Sequence, residues 1–320
     1  MKTVLVTAIG SFAGSAVLRG LKEAGFRTVA CDLHPRAWLA NAALADVFVQ
    51  APPAAEREAY CAFLREMCVR ERLDYVVLLT DPEIDALQTD RAWFAAHGVC
   101  LCLSSEKTVA LCRDKYRLTR FAEENGLTAV IPTVRFCDCD PTSATYPLLC
   151  KPVDGRSSQG VRVLRNERDR AYAAETVERE RYIVQPYVEG TVVTVDVVRQ
   201  ADGKRAVAVA RRELIRTPHG AGLSVEVFSD AVLEAQCVRL ADALGVVGCV
   251  NIEFICDADG VYRLLECNPR FSGGVEFTVR AGYDCVRNHM RCFTDGRIDS
   301  APAIQPAYFA RRYEIYTTDT

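Results

Sequence analysis

Six of the 39 basic residues in this 320-residue chain are lysine, so each retained lysine raises the question of what it holds. Lys115 directly follows Asp114, a good helix-capping residue. A cation at that point opposes the helix dipole and gains nothing locally. Lys151 leads into Pro152-Val153-Asp154-Gly155-Arg156-Ser157-Ser158-Gln159-Gly160-Val161. Gly155 and Gly160 give that segment a flexible backbone, Ser157 and Ser158 add hydroxyls, and Lys151 and Arg156 add positive charge. Phosphate oxygens require this combination, because glycine permits close approach and exposed N–H groups supply donors. Lys115 and Lys151 together suggest two point charges gripping a polyphosphate.

A second constellation is acidic. Asn251-Ile252-Glu253-Phe254 and Leu264-Leu265-Glu266-Cys267-Asn268-Pro269-Arg270 read as paired strands joined across Asp257-Ala258-Asp259-Gly260. Glu253 and Glu266 then stand on neighbouring strands, with Asn268 on the face of Glu266 by the two-residue period. Like charges side by side repel, and a cation between them relieves that repulsion. Oxygen donors without histidine or thiolate suit Mg²⁺, which takes its remaining ligands from phosphates and water. Arg270 would be a fork for a transferring phosphoryl group or a substrate carboxylate. By contrast, Gly10-x-x-x-Gly14 is neither a dinucleotide fingerprint nor a P-loop, and it supports no nicotinamide cofactor.

The elements that must position these residues fall into two textures. Lys2–Thr7 reads as a buried strand, Ala16–Ala24 as an amphipathic helix and Thr28–Cys31 as a second strand, a βαβ unit that predicts a parallel sheet. Helical spacing over 56–71 and a strand over Tyr75–Leu79 continue the alternation, so a first domain is set at 1–112. After a helix from Asp114 to Asn125-Gly126, hairpins dominate: Pro147–Val153, Gly160–Leu164, Tyr182–Gln185, Val192–Arg199 and Arg205–Arg212. This predicts an antiparallel α+β region.

Half of the chain is hydrophobic, a quarter is charged and the net charge is −3, which gives no basic surplus for a nucleic-acid partner. No apolar run approaches the roughly 20 residues needed to span a bilayer, and the amino terminus lacks a secretory h-region, so a cytoplasmic location is expected. The 15 cysteines are odd in number and show no Cys-x-x-Cys spacing. They are expected to be reduced, small and mostly buried.

The order Asp114-Lys115, Pro147–Pro152, Gly155–Val161, Gln185-Pro186-Tyr187-Val188-Glu189-Gly190, Asn251–Glu253 and Glu266–Arg270 resembles the ATP-grasp superfamily. It is similar above all to single-module relatives of the carbamoyl-phosphate synthase large subunit. The resemblance implies an α/β, Rossmann-like pre-ATP-grasp domain (1–112) followed by an α+β ATP-grasp fold. The latter has a small lobe carrying the glycine-rich loop (113–186) and a large lobe carrying the metal site (187–320). It further implies ATP between the lobes, with Lys115 and Lys151 on the α- and β-phosphates and Gly155–Gly160, with Ser157 and Ser158, closing over the β/γ end. Gln185 would read adenine by its side chain, and Pro186 and Val188, flanking Tyr187, through backbone groups. Glu253, Glu266 and Asn268 would hold two Mg²⁺ ions, with Mn²⁺ as the alternative, and Arg270, Lys151 and Arg211 would be catalytic. Arg211 and Arg212 precede the loop Arg216–Gly222, and strand alternation lets one of them face the cleft. Ser11, Asp81, Glu83, Ser272 and Gly273 are candidates on the acceptor side. Val192 departs from the family pattern, standing where a glutamate for the ribose hydroxyls is expected. The implied activity is a carboxylate–amine ligase working through an acyl phosphate, on small-molecule carboxylate and amine partners and as a homodimer. The alternatives are a small-molecule kinase forming a carbamoyl or acyl phosphate, or an ATP-binding module without turnover.

Overall fold

Val4, Leu5 and Val6 are fully buried because β1 (Thr3–Val6) is covered on both faces, Val4 and Val6 packing into one core and Leu5 into another. In the computed structural model, which describes residues 1–140, 144–294, 296–301 and 303–318, this strand is central to a parallel sheet. The sheet contains β2 (Arg27–Asp32), β3 (Val47–Gln50), β4 (Tyr75–Val77) and β5 (Cys100–Leu101), in the order β3-β2-β1-β4-β5. Helices α1 (Gly14–Glu23), α2 (Arg57–Glu71), α3 (Asp81–Leu87) and α4 (Arg91–Ala96) connect its strands. The turn from β1 into α1 depends on Gly14, where a Cβ would stand 2.0 Å from the Ile9 carbonyl oxygen.

Helix α5 (Glu106–Arg113) spans residue 112, the boundary expected from the sequence. Its Val109 packs with the first domain and its Cys112 with the second core. After α6 (Lys115–Glu124) come β6 (Ala129–Val130), β7 (Val134–Arg135), β8 (Leu148–Pro152), β9 (Arg162–Leu164), α7 (Glu167–Thr176) and β10 (Tyr182–Pro186). Strands β7, β10, β8 and β9 form a small antiparallel sheet in that order.

The remaining strands are β11 (Thr191–Arg199), β12 (Ala206–Arg216), β13 (Gly222–Phe228), β14 (Gly248–Cys256), β15 (Tyr262–Asn268) and β16 (Ala307–Ala310). With β6 they make a seven-stranded sheet, β16-β13-β12-β11-β14-β15-β6, antiparallel except where β6 joins β15. α8 (Ala231–Leu244) covers this sheet through Leu233, Cys237, Leu240 and Ala241, while α9 (Val275–Arg280) and α10 (Cys285–Arg291) pack it toward the first domain. All 15 cysteines are free, 11 of them buried, as expected for small core residues. Among the described residues no helix is long and apolar enough to cross a membrane.

Candidate active site

α6 begins at Lys115 because the Asp114 side chain caps it, accepting from the Arg117 backbone N–H at 2.9 Å. The Lys115 N–H in turn donates to the Val153 carbonyl at 2.9 Å, which ties the helix start to the end of β8. Lys115 is buried; its Nζ donates to the Gly155 carbonyl at 2.6 Å and lies 3.1 Å from Glu266 Oε2. Lys151, on β8, is also buried, and its ammonium makes no hydrogen bond or ion pair with a described residue. Burial, with help from the charge of Lys115, pushes its pKa down to about 8 against the attraction of Glu266 and Glu253.

On the opposite wall, the register of β14 and β15 sets Glu253 directly across from Glu266, with a bulge immediately after Glu253. Burial and then the neighbouring charge of Glu266 push Glu253 up to about 7, opposed by Arg216, whose Nη2 is 3.2 Å from Glu253 Oε2. Burial would raise Glu266 too, but Lys115, a 3.0 Å hydrogen bond from Asn268 Nδ2, and Lys151 outweigh it and hold that carboxyl below its ordinary value. The donor set fits a hard divalent cation: two facing carboxylates and an adjacent amide, with Glu253 raised by burial and then by its neighbour Glu266. Among the described residues no group of three or more His, Cys, Asp or Glu could hold a metal ion.

Asn268 Nδ2 also donates to Asn251 Oδ1 at 3.1 Å, and its Oδ1 accepts from Arg270 Nη2 at 3.3 Å. The Arg270 fork is turned toward the first domain, where Nε and Nη2 grip the two carboxylate oxygens of Asp81 at 3.0 and 2.6 Å. Burial would lower the Arg270 pKa, but Asp81 raises it. Arg113 lies 3.6 Å from Asp81, pairs with Asp85 at 2.8 Å and donates to the Asp154 carbonyl at 3.2 Å. It thereby links this ion pair to the base of the glycine-rich loop.

In that loop Ser157 (φ 52°), Ser158 (φ 57°) and Gly160 (φ 73°) are left-handed, a conformation that is costly for the two serines. The loop, both lysines, both glutamates, Asn268 and Arg270 line one cavity of about 340 Å³. A second cavity of about 490 Å³ opens at the carboxyl edge of the parallel sheet and is lined by Ser11, Asp81 and Glu83. It shares Arg156, Ser157, Arg270 and Gly273 with the first.

Other expected residues lie at or beyond the rim. Gln185 is buried opposite Leu149, which lines the first cavity; its Nε2 donates to Thr133 Oγ1 at 2.7 Å and its Oε1 has no partner. Pro186, Tyr187 and Val188 follow it outside the cavity wall, and the Tyr187 N–H is held by the Pro147 carbonyl at 3.0 Å. Val192 is a half-buried strand residue paired with Ile255. Arg211 is the arginine that faces the cleft, with Ser272 at 3.0 Å, whereas Arg212 stacks on Phe228 at 3.8 Å. Glu83 is occupied: it accepts from Thr7, Tyr60 and Thr80 and closes the capping box of α3. Arg113, which meets Asp81 and, 28 positions away, Asp85, carries no motif in the sequence, and Glu213 sits two residues beyond Arg211 in a strand whose partner across the cleft only the fold supplies.

Residues 178–314 match the family model described as ATP-grasp in the biosynthetic pathway with Ter operon, and residues 4–102 match the PylC-like N-terminal domain. The chain has the ATP-grasp fold. It is similar to biotin carboxylase from Campylobacter jejuni, solved as a β,γ-ATP complex, at 19% identity and a TM-score of 0.78 over 93% of this chain and 72% of that one. It is also similar to the biotin carboxylase domain dimer of Hydrogenobacter thermophilus 2-oxoglutarate carboxylase, solved with MgADP, ADP and bicarbonate. There the identity is 19% and the TM-score 0.77 over 94% of this chain and 71% of that one. In sequence it is 25% identical over 246 residues to the carbamoyl phosphate synthase large chain of Xylella fastidiosa, covering 69% of this chain but 23% of that relative. In ATP-grasp terms the small sheet is the lobe that carries the glycine-rich loop, and the seven-stranded sheet carries the paired acids.

Proposed function

We propose that the protein is an ATP- and Mg²⁺-dependent ligase that activates a small carboxylate as an acyl phosphate and transfers the acyl group to an amine. One observation carries this reading: the ammonium groups of Lys115 and Lys151 and the facing carboxylates of Glu253 and Glu266 share a single cavity beneath the glycine-rich loop. Lys151, buried without a partner of its own, gains one in a phosphate oxygen. Lys115 exchanges the Gly155 carbonyl for phosphate, which releases the loop to close over the β/γ end. The unpartnered Gln185 Oε1 suits the exocyclic amino group of adenine, with the backbone of Pro186–Val188 beside it. Glu253, Glu266 and Asn268 would hold two Mg²⁺ ions, which neutralise phosphate charge when bound.

Arg270 joins the two cavities, so the carboxylate is placed on the side of the second cavity, near Ser11, Ser272 and Gly273, with the transferring phosphoryl group between. Such chemistry needs positioning and charge neutralisation rather than a covalent group on the protein. The names of the two solved relatives, with β,γ-ATP and with MgADP, support the nucleotide, and the dimer named in the second supports a homodimer here.

The test is hydroxylamine trapping with ATP, Mg²⁺ and pooled small carboxylic acids. Hydroxamate formation coupled to ADP release is expected. ADP release without any trapped acyl group would instead favour phosphorylation of another acceptor, and absence of stabilisation by MgADP would refute the nucleotide site itself.

A further inference from the structure

Arg211 is fully buried among more negative than positive charge. Its Nε donates to Glu213 Oε1 at 3.0 Å, its Nη1 to Asp196 Oδ2 at 2.7 Å, and its Nη2 to Ser272 Oγ at 3.0 Å. Asp196 and Glu213 are both more than nine-tenths buried, so two carboxylates share one guanidinium. Of the arginines around this group, Arg216 pairs with Glu253 at 3.2 Å, and Arg311 lies 3.9 Å from Glu276, which it shares with Arg19 and Arg280. Arg211 cannot therefore serve as a free anion clamp, because its charge is already more than matched.

The imbalance leaves two carboxylate oxygens unpartnered among the described residues, Asp196 Oδ1 and Glu213 Oε2, and of the two residues Glu213 is the one that lines the first cavity. Its Oε2 is screened from solvent and has no hydrogen-bond partner among the described residues. An acceptor left in that state is costly. Two cavity-lining glycines leave room for the pair. A Cβ on Gly222 would stand 2.1 Å from Glu213 Oε2, and one on Gly274 would stand 2.7 Å from Arg211 Nη2. They come from separate segments of the chain, the start of β13 and the turn before α9.

We propose that this group receives the amine substrate as its ammonium ion, with Glu213 Oε2 as the acceptor and a small displacement of Gly222 opening the way. The inference rests on the ligase reading and adds the charge of the second substrate: a protonated primary amine, taken at the Glu213 end of the cavity. The ammonium supplies the missing positive charge and a donor for the unpaired oxygen. One proton passes to Glu213, the nitrogen lone pair then attacks the acyl carbon, the carbon–oxygen bond to phosphate breaks, and the second nitrogen proton leaves with the phosphate.

The test uses the full chain saturated with MgADP and three probes of similar size, ethylammonium, ethanol and propionate, followed by ligand-observed NMR titration. Ethylammonium is expected to bind more tightly than ethanol. Glu213→Gln, which keeps the shape and the bond to Arg211, is expected to weaken ethylammonium by about tenfold or more while propionate binding is unchanged or tighter. The MgADP-induced rise in melting temperature shows that the variant is folded. Gly222→Ala, which drives a methyl group into Oε2, is expected to weaken ethylammonium as well. Unchanged ethylammonium binding in Glu213→Gln, parallel weakening of all three probes, or no ethylammonium binding by the parent overturns the proposal. Failure of MgADP to bind would overturn the nucleotide reading instead, and the same titration on the nucleotide-free protein would still decide the role of Glu213.

Discussion

Replacing Lys151 by Met should make the nucleotide-free protein more stable, although it removes a residue central to the proposed function. The ammonium is buried with no ion pair, and its pKa falls from 10.5 to about 8. That displacement corresponds to about 3 kcal/mol of destabilisation by the charged form. The sign follows from the direction of the shift. Folding binds this proton more weakly than the unfolded chain does, so the penalty is complete below about pH 8, shrinks as pH rises, and vanishes above 10.5. Lys151→Met should therefore melt roughly 5 °C or more above the parent at pH 7, and the gap should close toward pH 10. With MgADP present the order should reverse, because the parent gains a phosphate partner for its ammonium and the variant does not. Melting curves from pH 6 to 10, with and without MgADP, measure both effects. A variant that melts at or below the parent at pH 7 would show that the charge is compensated within the fold, and the reasoning would fail.

Three further substitutions test the surroundings. Glu266→Gln should leave the protein folded and reduce ADP affinity in Mg²⁺ to the value measured in EDTA, by calorimetry, because it removes one of the two facing carboxylates. Asp81→Asn should cost about 3 kcal/mol in urea unfolding, since it leaves the half-buried Arg270 guanidinium without the buried carboxylate that grips it at 3.0 and 2.6 Å. Gly14→Ala should cost about 2 kcal/mol or more in the same assay, because its methyl group would stand 2.0 Å from a backbone oxygen that cannot move without breaking the β1–α1 turn.

Local rules made much of this molecule readable from its residues. The apolar run at β1 and the turn after it announced a parallel sheet, Asp114 announced the start of α6, and Asp257-Ala258-Asp259-Gly260 announced the hairpin that faces Glu253 with Glu266. Strand period alone put Asn268 beside Glu266. Strand β13 carries the two-residue alternation of Leu223, Val225 and Val227 with Ser224 and Glu226, but only its pairing with β12 and β16 fixes its place in the sheet. α10, Cys285–Arg291, buries an asparagine and a histidine, so its sequence lacks an apolar stripe. Within the site, residue types and spacing could propose Lys115, Lys151 and the acids, but not who holds whom before a ligand arrives. The grip of Asp81 on Arg270 joins residues 189 positions apart, and the pairing of Arg216 with Glu253 joins residues 37 apart. Likewise, alternation could bring one of Arg211 and Arg212 to the cleft, but not show that the fold sets Asp196 and Glu213 against Arg211.

The central claim is that Lys115 and Lys151 on one wall, and Glu253 and Glu266 on the other, hold a magnesium-bound nucleotide between them. An experimental structure of the MgADP complex tests it most directly. The account predicts phosphate oxygens within hydrogen-bonding reach of both lysine Nζ atoms and a metal ion ligated by both carboxylates. Nucleotide seated instead in the cavity at the edge of the parallel sheet, or phosphates out of reach of Lys151, would contradict it.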